Sequence, residues 1–277
     1  MRLAAAVVLF HPDETVVSNI QSYNAFVDVV IAVDNSVTKN NEVVKSLQGI
    51  ENLVYLPNEK NLGIAAALNL AAKHSSEQGF TWLLTMDQDS SFDSKEFKLY
   101  KQQVLDIIIN ESKIGLICPS EVKKSESLQI TEPAFRITSG TWINLHVWQQ
   151  VHGFDEQLFI DEVDKDLSCK VFLAGFRLIG FDNVLMKHKL GTKKNTGFLK
   201  LFFVKERTVH SPFRLYYMVR NYLVVRKRYG KYFPDIFKKR DHDFMIMLKN
   251  NIFFCGNFFS AVFQAAKGFV HYKRNKF

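Results

Sequence analysis

The sequence predicts an α/β fold, a mostly parallel sheet flanked by helices, followed by a helical C-terminal extension. Two observations carry this. From residue 3 to residue 118, short apolar runs alternate with helical segments, the pattern of βαβ units. Near residue 189 the composition then changes. Residues 1–188 hold 16 Lys and Arg against 24 Asp and Glu, a net charge of −8; residues 189–277 hold 20 against 4, a net of +16, with 14 of the 25 phenylalanines. The domain boundary is placed just past this change, with a sheet domain over 1–195 and a basic, aromatic helical extension over 196–277.

Leu3–Phe10 is short, and His11-Pro12-Asp13-Glu14 follows at once with no small-residue cleavage site, so it reads as a buried strand rather than a leader. Asp13–Phe26 reads as a helix whose acidic start suits the N-terminal dipole. Val27–Val33 is a second strand ending in Asp34-Asn35-Ser36, residues 42–49 a short helix, and Leu53–Leu56 a third strand. Leu62–His74 is alanine-rich and helical, with Asn61 a good N-cap. Thr81–Met86 is the fourth strand, Ser94–Asn110 a helix and Ile114–Cys118 a fifth strand. The alternation then lapses. Residues 121–139 read as irregular β structure, Thr138-Ser139-Gly140-Thr141 as a flexible turn, and Asn144–Val151 as a short helix. Leu158–Lys170 is the densest acidic patch and turns into a helix over Val163–Leu173, before short strands at Arg177–Phe181 and Val184–Met186. In the extension, Phe213–Tyr229 is a helix between Pro212 and Gly230, and Phe244–Phe269 is amphipathic helix material.

Parallel sheets bind ligands beyond the carboxyl ends of their strands, where Asp34, Asp87 and Asp89 all fall. In Phe80–Asp89, FTWLLTMDQD, an apolar strand closes on two carboxylates one residue apart, and period-two geometry points them to one side. Like charges held that close favour a divalent cation. Hard oxygen ligands suit Mg²⁺ or Mn²⁺, which keep positions open for a diphosphate. The plain alternative is a polar turn at Asp87-Gln88-Asp89-Ser90 and a turn-capping role for Asp34. Free backbone N–H groups and a small residue at Asn61 and Gly63 allow close ligand approach, with Asn69 a weaker candidate further along.

The pieces VVLFHP, IAVDNS, NLGIAAALN, TMDQDS, GFDEQLFIDEVDKDLSCKVFLAGFRL and MKHKLG occur in this order over residues 3–191. Together they resemble glycosyltransferase family 2, and within it the rhamnosyltransferase-like bacterial members. The resemblance implies a GT-A fold with a nucleotide-binding half at 1–118 and an acceptor half at 119–195. It implies inverting, metal-dependent transfer of a sugar, L-rhamnose from dTDP-rhamnose, onto a lipid-linked or growing cell-surface polysaccharide. A UDP-hexose such as UDP-galactose or UDP-N-acetylglucosamine is the alternative donor. Asp34 would accept from a pyrimidine N–H, with Asn61 and Gly63 beside the donor. Asp89 would bind the metal, Asp87 the ribose or the metal, and His188 the metal or diphosphate. Asp164 in Val163-Asp164-Lys165-Asp166-Leu167 would be the general base, with Asp161 in reserve, because Val163 stands where many relatives carry glutamate. Arg220 would meet the diphosphate. Gly140, Thr141 and Trp142 would line the acceptor side, Trp142 by stacking on a sugar or else by packing in the core.

Two other classes fit less well. A sugar nucleotidyltransferase would carry a glycine-rich basic N-terminal loop, which VLFHPDETV lacks, and intact Asp87, Asp89, Asp164 and His188 argue against a non-catalytic glycan-binding module. Cys118, Cys169 and Cys255 lie far apart, without a metal spacing or a disulfide framework, in keeping with a reducing compartment. No run reaches the roughly 18 apolar residues of a spanning helix. The expectation is a cytoplasmic protein, peripheral on the inner face of the cell membrane, whose cationic and aromatic extension meets an anionic surface. No nucleic-acid motif accompanies the basic residues.

Overall fold

The computed structural model describes residues 1–120, 125, 127–188, 193–194 and 207–275. The chain divides into two compact units, Met1–Glu156 with Asp164–Lys189, and Gln157–Val163 with Leu190–Phe277.

The first unit is built on β1 (Leu3–Leu9), β2 (Val29–Asp34), β3 (Leu53–Pro57) and β4 (Trp82–Asp87), all parallel, with β1 between β2 and β4. After the short β5 (Ser90–Ser91) come β6 (Ile114–Ser120), β7 (Ile130–Thr131), β8 (Thr141–Asn144) and β9 (Arg177–Leu185). The eight-stranded sheet runs β3-β2-β1-β4-β8-β6-β9-β7, with β8 antiparallel to both β4 and β6, so the sheet is mixed. Side-chain alternation along β1 sorts its two faces. Leu3, Ala5, Val7 and Leu9 join Val16 and Ile20 of α1 (Thr15–Gln21), Val43 and Leu47 of α2 (Asn41–Gln48), and residues that include Phe97 and Tyr100. Ala4 and Ala6 instead meet Ala67, Ala71 and Ala72 of α3 (Ile64–Glu77), where small residues on both sides let helix and sheet approach closely. Phe97 and Tyr100 belong to α4 (Ser94–Asn110), which starts at the Asp93 N-cap.

Several elements differ from the sequence reading. Asp13–Phe26 is α1 followed by a 3₁₀ turn at Asn24–Phe26, because Asp13 accepts from Thr15 N at 2.9 Å and holds the chain in a turn before the helix. The helix α3 begins at Ile64, capped by Gly63 at φ +82°, and Asn61 lies outside it. The turn read at Thr138–Thr141 ends in β8, a strand at the sheet centre. Arg177–Leu185 is one strand, since Asp182 in its middle is ion-paired to Arg136 and accepts from Thr131 Oγ1 at 2.8 Å. Asn144 caps α5 (Leu145–Gln150), accepting from His146 N at 3.0 Å, and the last helix of this region is α6 (Val163–Leu173).

In the second unit, Ser211 caps α7 (Pro212–Tyr229) and Pro212 takes the first helical turn. The helical material read at Phe244–Phe269 is two helices, α8 (Pro234–Phe254) and α9 (Phe258–Lys273), separated at Gly256, whose φ of +88° ends the first. Leu215, Val219 and Ala261 form the fully buried centre, with Tyr222 stacked on Phe244 at 4.1 Å.

Candidate active site

Three strand ends meet at one edge of the sheet. Register pairs Leu9 with Asp34 and Val8 with Asp87, so the two acids flank the end of β1. With strands spaced about 4.8 Å apart, their backbones lie roughly 10 Å from one another. Between them the chain leaves β1 through Phe10 and His11, His11 in the left-handed region at φ +48° and Phe10 exposed at 46%. Asn35 N donates to the Leu9 carbonyl at 2.8 Å and His11 N to Ser36 Oγ at 2.7 Å, which ties the ends of β1 and β2 together.

The Asp87-Gln88-Asp89 turn is built into this frame. Gln88 accepts from Phe10 N through Oε1 at 2.8 Å and donates through Nε2 to the Phe10 carbonyl at 3.2 Å. Asn19 of α1 donates to the Gln88 carbonyl at 2.8 Å, and Asp87 N donates to Ser139 Oγ at 3.0 Å. The turn 138–141 is held in turn by β4, with Thr85 Oγ1 donating to the Thr138 carbonyl at 2.6 Å and Gly140 N to the Thr85 carbonyl at 2.7 Å. Sequence reasoning missed Asn19, Gln88, Thr85 and Ser139 as positioning residues. No local pattern marks them, because each acts on a partner far away in the chain.

Asp87 and Asp89 are both half-buried. Beyond them, β10 (Lys187–His188) pairs antiparallel with β5, setting the His188 backbone opposite Ser90, next in sequence to Asp89. The sequence-predicted trio is therefore gathered at backbone level, while the His188 side chain lies outside the described residues. Among the described residues no three His, Cys, Asp or Glu side chains converge as a metal cluster.

Asp34 is wholly buried. Its Oδ1 accepts from Ser36 N at 2.8 Å and its Oδ2 from Tyr55 OH at 2.6 Å, with Lys39 Nζ 3.9 Å away. Burial, then the Asp34 carboxylate, pushes the Tyr55 hydroxyl well above its ordinary pKa, so it stays a donor. Lys39 also donates to the Asn58 carbonyl at 2.7 Å, which keeps a cation beside the acid. A carboxylate has about four lone-pair sites, and Ser36 N and Tyr55 OH occupy two of those of Asp34. Asn61 is exposed, and its Oδ1 accepts from Gly63 N at 2.9 Å. Among the described residues no side chain caps the first turn of α3. Asn69 is occupied structurally: its amide donates to the Phe154 carbonyl and Glu156 Oε1, each at 2.9 Å, and its oxygen accepts from Phe154 N and Trp148 Nε1.

Asp164 is half-buried in the first turn of α6 and lines a small pocket with Arg136, Thr138, Thr141 and Ser168. It thus faces the turn that positions Asp87. Its Oδ2 takes Lys165 Nζ at 3.1 Å. Asp166 is fully buried and paired with Lys170 at 2.9 Å, which also donates to the Gly153 carbonyl at 2.9 Å.

Packing bears on three of the expected site residues. Trp142 is completely buried in β8 among the core side chains of the α1/α2/α4 face, so it cannot stack on an acceptor sugar. Gly140 is a turn glycine at φ +76°, where a Cβ would sit 2.7 Å from Pro119 Cγ and 2.8 Å from Met186 Sδ; its role is close packing rather than lining an acceptor pocket. Arg220 is 4% exposed, and its guanidinium donates to Asn221 Oδ1 at 2.8 Å and to the Gln157 carbonyl at 2.5 Å, so in this structure it holds the backbone of the second unit.

The segment that Arg220 holds is strained. Phe159, Asp161 and Glu162 have φ of +61°, +64° and +65°, a conformation that L residues adopt at a cost. Asn221 Nδ2 donates to the carbonyls of Leu158 and Ile160 at 2.6 and 2.7 Å, Arg214 forks onto Asp161 with a closest approach of 2.8 Å, and Arg240 contacts both Glu162 oxygens at 2.6 Å. The reserve base Asp161 is thus held in an ion pair. Asn221→Ala leaves buried carbonyls without their donor and is expected to destabilise the protein by about 1–3 kcal/mol in a denaturant titration.

Residues 13–111 match the family model Glycosyl transferase family 2. The dTDP-rhamnosyl transferase RfbF of Shigella flexneri is 27% identical over 248 residues, covering 81% of this chain and 80% of that protein. Among solved structures, S. aureus TarS 1-349 in complex with UDP-GlcNAc matches with a TM-score of 0.54 at 16% identity, over 81% of this chain and 66% of that one. The same fragment in complex with UDP matches with a TM-score of 0.52 at 15% identity, over 81% and 65%. The chain spans just under two thirds of these two structures, and at such identity the likeness is one of fold.

Proposed function

We propose that this chain, which belongs to glycosyltransferase family 2 and is a glycosyltransferase, moves L-rhamnose from dTDP-rhamnose onto a lipid-linked or growing polysaccharide, with inversion at the anomeric carbon. The observation that carries the reading is the single sheet edge at which the backbone positions of Asp34, Phe10 and Asp87 come together, braced by Gln88. It supports a donor lying across β2, β1 and β4. The base would sit toward Asp34, the exposed Phe10 would offer a stacking face, and the diphosphate would lie near Asp87 and Asp89.

The donor set at the turn fits Mg²⁺ or Mn²⁺: two half-buried carboxylates supply hard oxygens and leave most positions for phosphate oxygens and water. Asp89, Asp87 and His188 would hold the ion, and the ion would offset the charge of the leaving diphosphate. The chain's own contribution is positioning and proton removal. The acceptor oxygen attacks the anomeric carbon as the bond to the diphosphate oxygen breaks, the bonding pair leaves with the diphosphate, and the acceptor proton passes to Asp164. Support for Asp164 comes from its place in the first turn of α6, facing Thr138 and Thr141.

A UDP-hexose donor is the second reading, favoured by the fold shared with a protein solved with UDP-GlcNAc. Release of dTDP from dTDP-rhamnose and of UDP from UDP-N-acetylglucosamine or UDP-galactose, each with Mn²⁺ or Mg²⁺, separates the two. Metal-stimulated release of dTDP alone supports rhamnosyl transfer, release of UDP alone replaces it with the second reading, and release of neither overturns both.

A further inference from the structure

The helix α9 hides a narrow stripe and displays a broad one. Ala261 and Gly268 are buried, and a Cβ at Gly268 would fall 2.6 Å from the Tyr216 carbonyl of α7, so the helices pack backbone to backbone on that side. Helical geometry carries Phe259, Val262, Phe263, Ala266 and Val270 to the opposite side, with Phe269 at its edge. This outward side carries the apolar residues: Phe259 is 84% exposed, Phe263 65% and Phe269 48%. At the corner between α8 and α9 the exposed rings of Phe253, Phe258 and Phe259 meet one another, with centroids 5.8 and 5.5 Å apart. A helix in water keeps such residues on its packed face, and an exposed apolar patch of this kind marks an interaction surface.

Charge identifies the partner. Lys267, Lys273 and Arg274 are exposed along and beyond α9, and Lys249 is exposed on α8 beside Met245 and Ile246. Residues 255–277 contain no Asp or Glu. Two copies meeting through this face would bring like charges together with no acid to oppose them. An anionic lipid surface meets both halves of the pattern, because phosphates take the cations while the rings enter the acyl boundary. No described helix is long and apolar enough to cross a membrane. We propose that the outer face of α9, with the Phe253–Phe258–Phe259 corner, is a membrane-docking surface that lies in the plane of a bilayer rich in anionic phospholipid. This rests on the second unit alone and stands or falls apart from the donor assignment.

The test is sedimentation of the full chain with phosphatidylcholine vesicles, with and without phosphatidylglycerol, for wild type, the exposed double substitution F259S/F263S, and K267Q/K273Q. Wild type is expected to partition onto the phosphatidylglycerol vesicles. F259S/F263S should lose about tenfold or more of that partition with an unchanged circular dichroism spectrum. K267Q/K273Q should lose about fivefold per residue on the anionic vesicles alone. Failure of wild type to bind either vesicle overturns the proposal, as does equal binding by K267Q/K273Q. A wild-type dimer in sedimentation velocity that F259S/F263S dissolves would also overturn it, assigning the face to a second copy of the chain.

Discussion

Asp164→Asn is expected to lower sugar transfer by about 10²–10⁴-fold, the contribution of a positioned general base, while nucleotide diphosphate binding is unchanged. The substitution keeps the shape of the side chain and its place in the first turn of α6, and removes the capacity to take a proton. Asp164 is half-buried beside the turn that holds Asp87 and is no part of the buried core, so the substitution is expected to spare the fold. Its neighbours behave differently. Asp166 is fully buried and paired with Lys170, so Asp166→Asn should act through stability. Asp161 is held by Arg214, and removing it releases a strained segment rather than a base. Initial rates for the three variants, measured beside their melting temperatures, separate chemistry from folding. Near-normal turnover in Asp164→Asn would move the base elsewhere.

Trp142→Ala is expected to cost about 3–5 kcal/mol of stability, the range for emptying a large aromatic site in a close-packed core. Trp142 has no exposed surface and lies in β8, paired on both sides, with Ile117 opposite it on β6 and Leu84 on β4. Among the described residues its indole Nε1 has no hydrogen-bond partner, so Trp142→Phe removes this donor along with some volume and should be tolerated far better. The pair of variants distinguishes a core residue from a sugar platform. Trp142→Phe should leave the KM for acceptor unchanged, and a selective rise in that KM with normal stability would restore the stacking role. A denaturant titration gives the first number and initial-rate kinetics the second.

Much of the frame was legible in the sequence because it is local. Alternating apolar runs located β1 to β4, and the same alternation put Asp34, Asp87 and Asp89 at strand ends. What escaped was long-range. The four-residue strand β8 has no periodicity of its own and exists because β4 and β6 offer it edges. Asp182 and Asn183 read as a break in a strand, yet the Arg136 ion pair lets Asp182 stay in β9. Gln88 read only as part of a polar turn, yet its two bonds to Phe10 bridge 78 residues of sequence. Arg220, which Asn221 follows, stood out by resemblance. Their work, gripping the carbonyls of the strained segment ahead of α6, is a matter of backbone geometry that composition does not carry.

The central claim, a metal-assisted nucleotide diphosphate site on the β2-β1-β4 edge, is tested most directly by thermal stabilisation. Wild type and Asp89→Ala are melted with dTDP and UDP, each with and without Mn²⁺. A ligand at a hundred times its dissociation constant adds about 2.7 kcal/mol to stability. The account predicts a rise in melting temperature with at least one of the two nucleotides that needs Mn²⁺ and is lost in Asp89→Ala, the larger shift naming the base. The same shift in wild type and Asp89→Ala, or none with either nucleotide, would contradict it.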